Sequence, residues 1–80
     1  NSTKKGGLSM NYLIITDEIK VCLALMTEDD DKLKLIDALT DFINNRAVDE
    51  DDMYSQTRTA FVYLTSDESL VAKMTYKKEA

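Results

Sequence analysis

Residues 58–74, RTAFVYLTSDESLVAKM, admit two readings, and the choice between them sets the fold of the whole chain. By composition the stretch is a β-hairpin, with aromatic and β-branched residues on either side of a polar Ser66-Asp67-Glu68-Ser69 turn. By punctuation it is the end of one helix and the capped start of another. Ser66 then accepts a hydrogen bond from a free first-turn N–H, and Asp67 and Glu68 lie at the positive end of the helix dipole.

The same punctuation recurs three times upstream. Thr16 precedes Asp17 and Glu18; Thr27 precedes Glu28, Asp29 and Asp30; Asp49 precedes Glu50, Asp51 and Asp52. Val48 and Met53 flank Asp49 at the positions of a hydrophobic staple. Four such starts in one chain favour helices, and the apolar spacing tests each of them. Leu35, Ile36, Leu39, Phe42 and Ile43 fall at i, i+1, i+4, i+7 and i+8, one stripe of an amphipathic helix. Met53, Tyr54, Thr57, Phe61 and Leu64 form a second stripe, which runs into the opening stretch. Ile19, Cys22, Leu23 and Met26 form a third, although that segment (DEIKVCLALM) is apolar nearly all round and also alternates as a strand would. The last segment is split. Leu70, Ala72, Met74 and Tyr76 alternate, whereas acids at its start and Lys73, Lys77 and Lys78 at its end match a helix dipole.

These readings predict an all-α fold: a compact bundle of about four helices over residues 17–26, 29–46, 50–65 and 67–78, preceded by a short extended segment, MNYLII, at residues 10–15. Tyr12, Leu13, Ile14 and Ile15 are expected to pack across the helices. The alternative is an α+β fold with a C-terminal β-hairpin. Eighty residues make one domain at most. Residues 1–9, with both glycines and two lysines, read as a flexible arm or a cloning remnant, and residues 10–80 as a single helical domain.

Composition excludes much chemistry. With no histidine, the usual general base and the commonest metal ligand are missing, and one cysteine cannot complete an ordinary zinc site or an internal disulfide. Gly6-Gly7 is not followed by any phosphate-cradling pattern. The acidic runs at 28–31 (EDDD) and 49–52 (DEDD) lack the alternating ligands and the sixth-position glycine of a calcium loop. The expectation is a non-enzymatic protein with no catalytic residue, cofactor, metal or small-molecule substrate.

The net charge is −5, and residues 27–52 hold ten carboxylates against Lys32, Lys34 and Arg46, a local balance of −7. Such a chain repels a nucleic-acid backbone, so direct nucleic-acid binding is not expected. No apolar run is long enough to span a bilayer, so no membrane partner is expected and a cytoplasmic location is. Arg58, Val62 and Tyr63 fall off the stripe of their own helix. As an Arg among apolar and aromatic residues they are the candidate partner-binding side chains, for a protein partner or a second copy.

The run YLIITDEIKVCLALMTEDDDKLKLIDALTDFINN, followed by TRTAFVYLTSD and a Lys-rich YKKEA, resembles a small all-helical N-terminal domain of unknown function found in phage and prophage proteins encoded beside replication genes. In that family an aromatic-hydrophobic opening, an acidic cap, a KL…DA helix, an acidic linker and an AF helix follow one another. Here these are residues 12–15, 26–30, 34–38, 48–52 and Ala60-Phe61. The chain departs from the pattern where NNRAV replaces a tight glycine and where the first helix lacks an aromatic. The resemblance implies a helical interaction module of a phage or mobile-element protein, located in the bacterial host cytoplasm and linked to DNA replication. It carries no functional residues across. The alternative function is an acidic inhibitor that mimics nucleic-acid charge to block a host DNA-binding protein.

Overall fold

The computed structural model describes residues 10–78. The arm expected at residues 1–9 lies outside them. The chain runs β1 (Met10–Leu13), α1 (Asp17–Ala24), α2 (Asp29–Ile43), a 3-10 turn (Glu50–Asp52), α3 (Ser55–Ser66), α4 (Glu68–Met74) and β2 (Thr75–Lys78). The mainly helical reading holds, with four helices. The all-α expectation is corrected at the end of the chain, where residues 75–78 leave the expected helix and form a strand. The α+β alternative fits in having that strand, but its partner is the N-terminal segment and not a hairpin neighbour. β1 and β2 pair antiparallel, Met10 opposite Lys78 through Leu13 opposite Thr75. The Ile14 N–H bond to the Met74 carbonyl, 2.7 Å, extends the pairing by one step.

The opening stretch is resolved as two helices, with the joint one residue later than Ser66. Ser66 ends α3, its hydroxyl donating to the Val62 carbonyl. Asp67 is the cap: its extended backbone breaks the helix, and its Oδ1 accepts from the Ser69 N–H (2.9 Å) and the Ser69 hydroxyl (2.7 Å). The ionised carboxylate makes both bonds charge-assisted, which a serine hydroxyl in the same place does not. Thr16 caps α1 as expected, accepting from the Ile19 N–H. Thr27 does not cap α2; Glu28 holds that position without a side-chain bond. Asp49 accepts from the Asp51 N–H, but the helix it starts lasts a single 3-10 turn. At Met53 the chain turns extended and buries that side chain, and α3 begins again at Ser55.

The core follows the predicted stripes. Ile19, Leu35, Leu39, Leu64 and Met74 are fully buried, joined by Cys22, Met26, Ile43, Phe61 and Leu70. Burying a side chain of this kind contributes about 1.5–3 kcal/mol. Phe42 lies at the rim, edge-on to Phe61 at 5.9 Å. Tyr54 departs from its predicted stripe: it is the N-cap of α3 and stands 77% exposed. Of the N-terminal apolar run, Leu13 packs against the core, whereas Tyr12, Ile14 and Ile15 stay largely exposed. Two ion pairs tie distant elements together, Lys34 to Asp52 (2.6 Å) and Lys73 to Glu18 (2.7 Å).

Candidate functional site

α1 and α3 lie side by side without closing over each other. Gln56, in the first turn of α3, donates through Nε2 to the Leu25 carbonyl at the C-terminal end of α1, 2.9 Å away. The end of α1 therefore meets the start of α3. An open apolar groove of about 630 Å³ separates the two helices. Cys22, Met26 and Ala60 form its floor, and Val21, Leu25 and Tyr63 its walls.

The local sequence explains why this groove exists. α1 is a short helix that buries Ile19 and Cys22, with Met26 just beyond its end also in the core, while Val21 and the C-cap Leu25 lie four residues apart on another face. Nothing covers that second face among the described residues, so Val21 is 60% and Leu25 66% exposed. Tyr63, at 54% exposure, reaches the groove from α3. The groove is lined by no charged side chain; its polar members are Ser55, Gln56 and Thr59, and the Gln56 amide is already bonded to Leu25. The Cys22 thiol is pushed up from its ordinary pKa by burial, which keeps it protonated and a poor nucleophile.

Arg58, Val62 and Tyr63 are all exposed on α3, but they do not make one patch at this groove. Tyr63 lines it, whereas Arg58 and Val62, four residues apart, follow the adjacent face of the helix. Val21 and Leu25 are the groove residues that the stripe analysis passed over. Their signal was present in the DEIKVCLALM segment, whose apolar residues exceed what one buried face accommodates.

Two other hollows are more polar. One, of about 640 Å³, lies among the end of α2, α4 and β2 and includes Asn11, Phe42, Thr65, Glu68 and Lys77. The other, of about 280 Å³, gathers Asp37, Asp41, Asp49 and Asp52 around Lys34. There Lys34 holds the Asp52 carboxyl below its ordinary pKa by hydrogen bonding and charge, and Arg46 Nε pairs with Asp41 at 2.9 Å. Among the described residues no group of three or more Cys, Asp or Glu side chains is placed to hold a metal ion, and no helix is long and apolar enough to cross a membrane.

The chemistry of the α1/α3 groove is therefore that of apolar contact, with exposed side chains on two helices and no carboxylate, Lys or Arg in its lining. In comparison with known proteins, no family model matches the chain, and neither a curated protein nor a solved structure matches it.

Proposed function

We propose that the chain is a non-catalytic protein-interaction module that receives its partner in the α1/α3 groove. The observation that carries this reading is the exposure of Val21, Leu25 and Tyr63 around one apolar hollow on two helices. Small-molecule sites combine apolar walls with a few convergent polar groups that fix orientation. This groove has its one amide committed internally and only the Ser55, Thr59 and Tyr63 hydroxyls besides, which favours selection by shape and apolar anchors, as in helix-binding grooves. A phage or mobile-element setting, in the cytoplasm of a bacterial host and linked to replication, is the part of the proposal supported by the resemblance of the hydrophobic layout alone.

The charge-mimic reading draws on the four aspartates around Lys34. It is the weaker of the two, because the acids of residues 29–31 and 50–52, with Asp17, Glu18 and Glu68, belong to four separate helix first turns. Two members of the Lys34 hollow are also neutralised by ion pairs.

The test is site-specific photocrosslinking in the native host, with a photoactivatable residue at Leu25 and, as control, at Glu68. The expected result is a discrete protein adduct from position 25 that is absent from position 68. Equal or absent adducts at both positions would remove the groove as the interaction site.

A further inference from the structure

We propose that the partner segment of the α1/α3 groove is an amphipathic helix with a cluster of Lys or Arg at one end; this rests on the groove being an interaction site. The argument is one of charge placement. The Gln56–Leu25 hydrogen bond brings the exit of α1 and the entry of α3 to the same end of the groove. The chain leaves that end directly into Glu28, Asp29, Asp30 and Asp31, and it arrives there from Asp49, Glu50, Asp51 and Asp52. Met26 lines the groove, and Glu28 is two residues beyond it, so their Cα atoms are at most about 8 Å apart. Ser55 also lines it, with Asp52 three residues earlier, within about 11 Å. These are backbone separations, and the carboxylates carried there come within about a Debye length, roughly 8–10 Å, of a charged occupant only at that end of the groove.

Lysine compensates little of this charge. Lys32 approaches Asp29 at 3.9 Å and Lys34 binds Asp52 at 2.6 Å, which leaves Glu28, Asp30, Asp31, Asp49, Glu50 and Asp51 without an ion-pair partner among the described residues. The opposite end, near Val21 and Tyr63, is balanced. Glu18 is paired with Lys73, and Asp17 with Lys20. The groove is thus mainly apolar, and the two acidic runs adjoin the same end of it along the chain. A segment with apolar residues at i, i+3, i+4 and i+7 fills it, since the α3 lining from Ser55 to Tyr63 extends over about 12 Å, a little more than two helical turns. Positive charge at the matching end completes the fit, speeds encounter and fixes orientation.

The test uses the full chain, labelled with ¹⁵N, and two synthetic peptides of about twelve residues that share the four-Leu spacing. One carries three Lys at one end, and the other carries three Glu in their place. Amide shifts locate binding, and fluorescence anisotropy gives the affinity. The expected result is shifts at Val21, Leu25 and Tyr63, with the Lys peptide bound about tenfold or more tighter at low salt and the difference falling below about twofold near 0.5 M salt. Leu25→Ser, at a position exposed enough to leave the fold intact, is expected to weaken the Lys peptide about fivefold or more. Equal affinity for both peptides would overturn the basic-partner inference while leaving the groove reading in place. Absence of shifts at the groove with either peptide would overturn both. Sedimentation as a dimer that Leu25→Ser dissociates would assign the groove to a second copy and likewise overturn the inference.

Discussion

Substituting Asn44 by Ala tests how the ends of the chain are fastened to the helices. The Asn44 amide accepts from the Asn11 N–H at 2.8 Å and donates to the Asn11 carbonyl at 2.9 Å and to the Thr40 carbonyl at 2.9 Å. Asn11 replies with its own side chain, donating to the Ile43 carbonyl at 2.6 Å. With both main-chain groups of Asn11 taken, that residue faces away from β2 in the ladder alternation, and Asn44 stands where a third strand would. Asn44→Ala removes three hydrogen bonds of about 1 kcal/mol each and strands a half-buried N–H, so a loss of about 2–3 kcal/mol is expected. A domain of this size has roughly 4–12 kcal/mol in total. With a urea slope of about 1 kcal/mol/M, the midpoint should fall by about 2–3 M. Hydrogen exchange at Asn11, Tyr12 and Tyr76 should accelerate in the variant. Asn44→Asp keeps the acceptor but loses both donations and places a negative charge at a helix C-terminus, so it should match Ala near neutral pH and recover in part below about pH 4. An Ala variant within about 0.5 kcal/mol of the parent, with unchanged exchange at those amides, would refute the docking role.

Three further outcomes follow from the same structure. Thr57 is 1% exposed and its hydroxyl has no hydrogen-bond partner, so Thr57→Val should stabilise by about 1 kcal/mol, read as a rise in urea midpoint; a decrease would mean the hydroxyl is satisfied. Asn45 holds φ at 61°, in the left-handed region, just past the end of α2, so Asn45→Gly should be tolerated and Asn45→Val should cost about 1–2 kcal/mol in thermal unfolding. Hydrogen bonds from Lys73, from Lys34 and from the Ser69 hydroxyl and N–H hold the carboxyls of Glu18, Asp52 and Asp67 respectively below their ordinary range. Their contribution is therefore complete above the unfolded pKa of about 4 and is lost as pH falls through the lower folded values. Lys34 and Lys73 are raised by the same pairs, so their share is complete below about pH 10 and is lost only as pH rises past that. The urea midpoint should be flat through neutrality and fall in acid, with a shallower acid limb in Lys73→Met; a midpoint unchanged from about pH 5 to about pH 3 would refute this.

Much of the core was legible because it is local. Leu35, Leu39 and Ile43, or Thr57, Phe61 and Leu64, meet within one helix, and their spacing alone announces a buried face. Capping was legible in kind and uncertain by one residue. Ser66 and Asp67 both offer an oxygen, and the choice depends on the Ser69 donors that fall within reach of Asp67. Residues 75–78 were not legible by the same means. Lys77 and Lys78 satisfy a helix dipole in sequence, yet a helix gives them only a weak, solvent-screened gain. Pairing with Met10–Leu13, more than sixty residues away, provides ladder hydrogen bonds, the Tyr12–Tyr76 contact at 6.4 Å and Lys78 over the Tyr12 ring at 5.8 Å. That competitor cannot be seen from either end alone.

The groove stands between these cases. Tyr63 was visible as an off-stripe aromatic, but Arg58 and Val62, chosen by the same criterion, lie on the adjacent face, because a stripe shows what a helix hides and not which neighbour borders the rest. α1 was the stronger signal. A short helix that is apolar on two faces, with only one of them packed into the core, must leave the second face to solvent or to something that binds there. In this chain that face carries Val21 and Leu25, and it ends where the acidic runs begin. The sequence places apolar contact and negative charge next to each other along the chain, and the meeting of the end of α1 with the start of α3 brings the chain segments that follow and precede them, which carry the acidic runs, toward one end of the same groove.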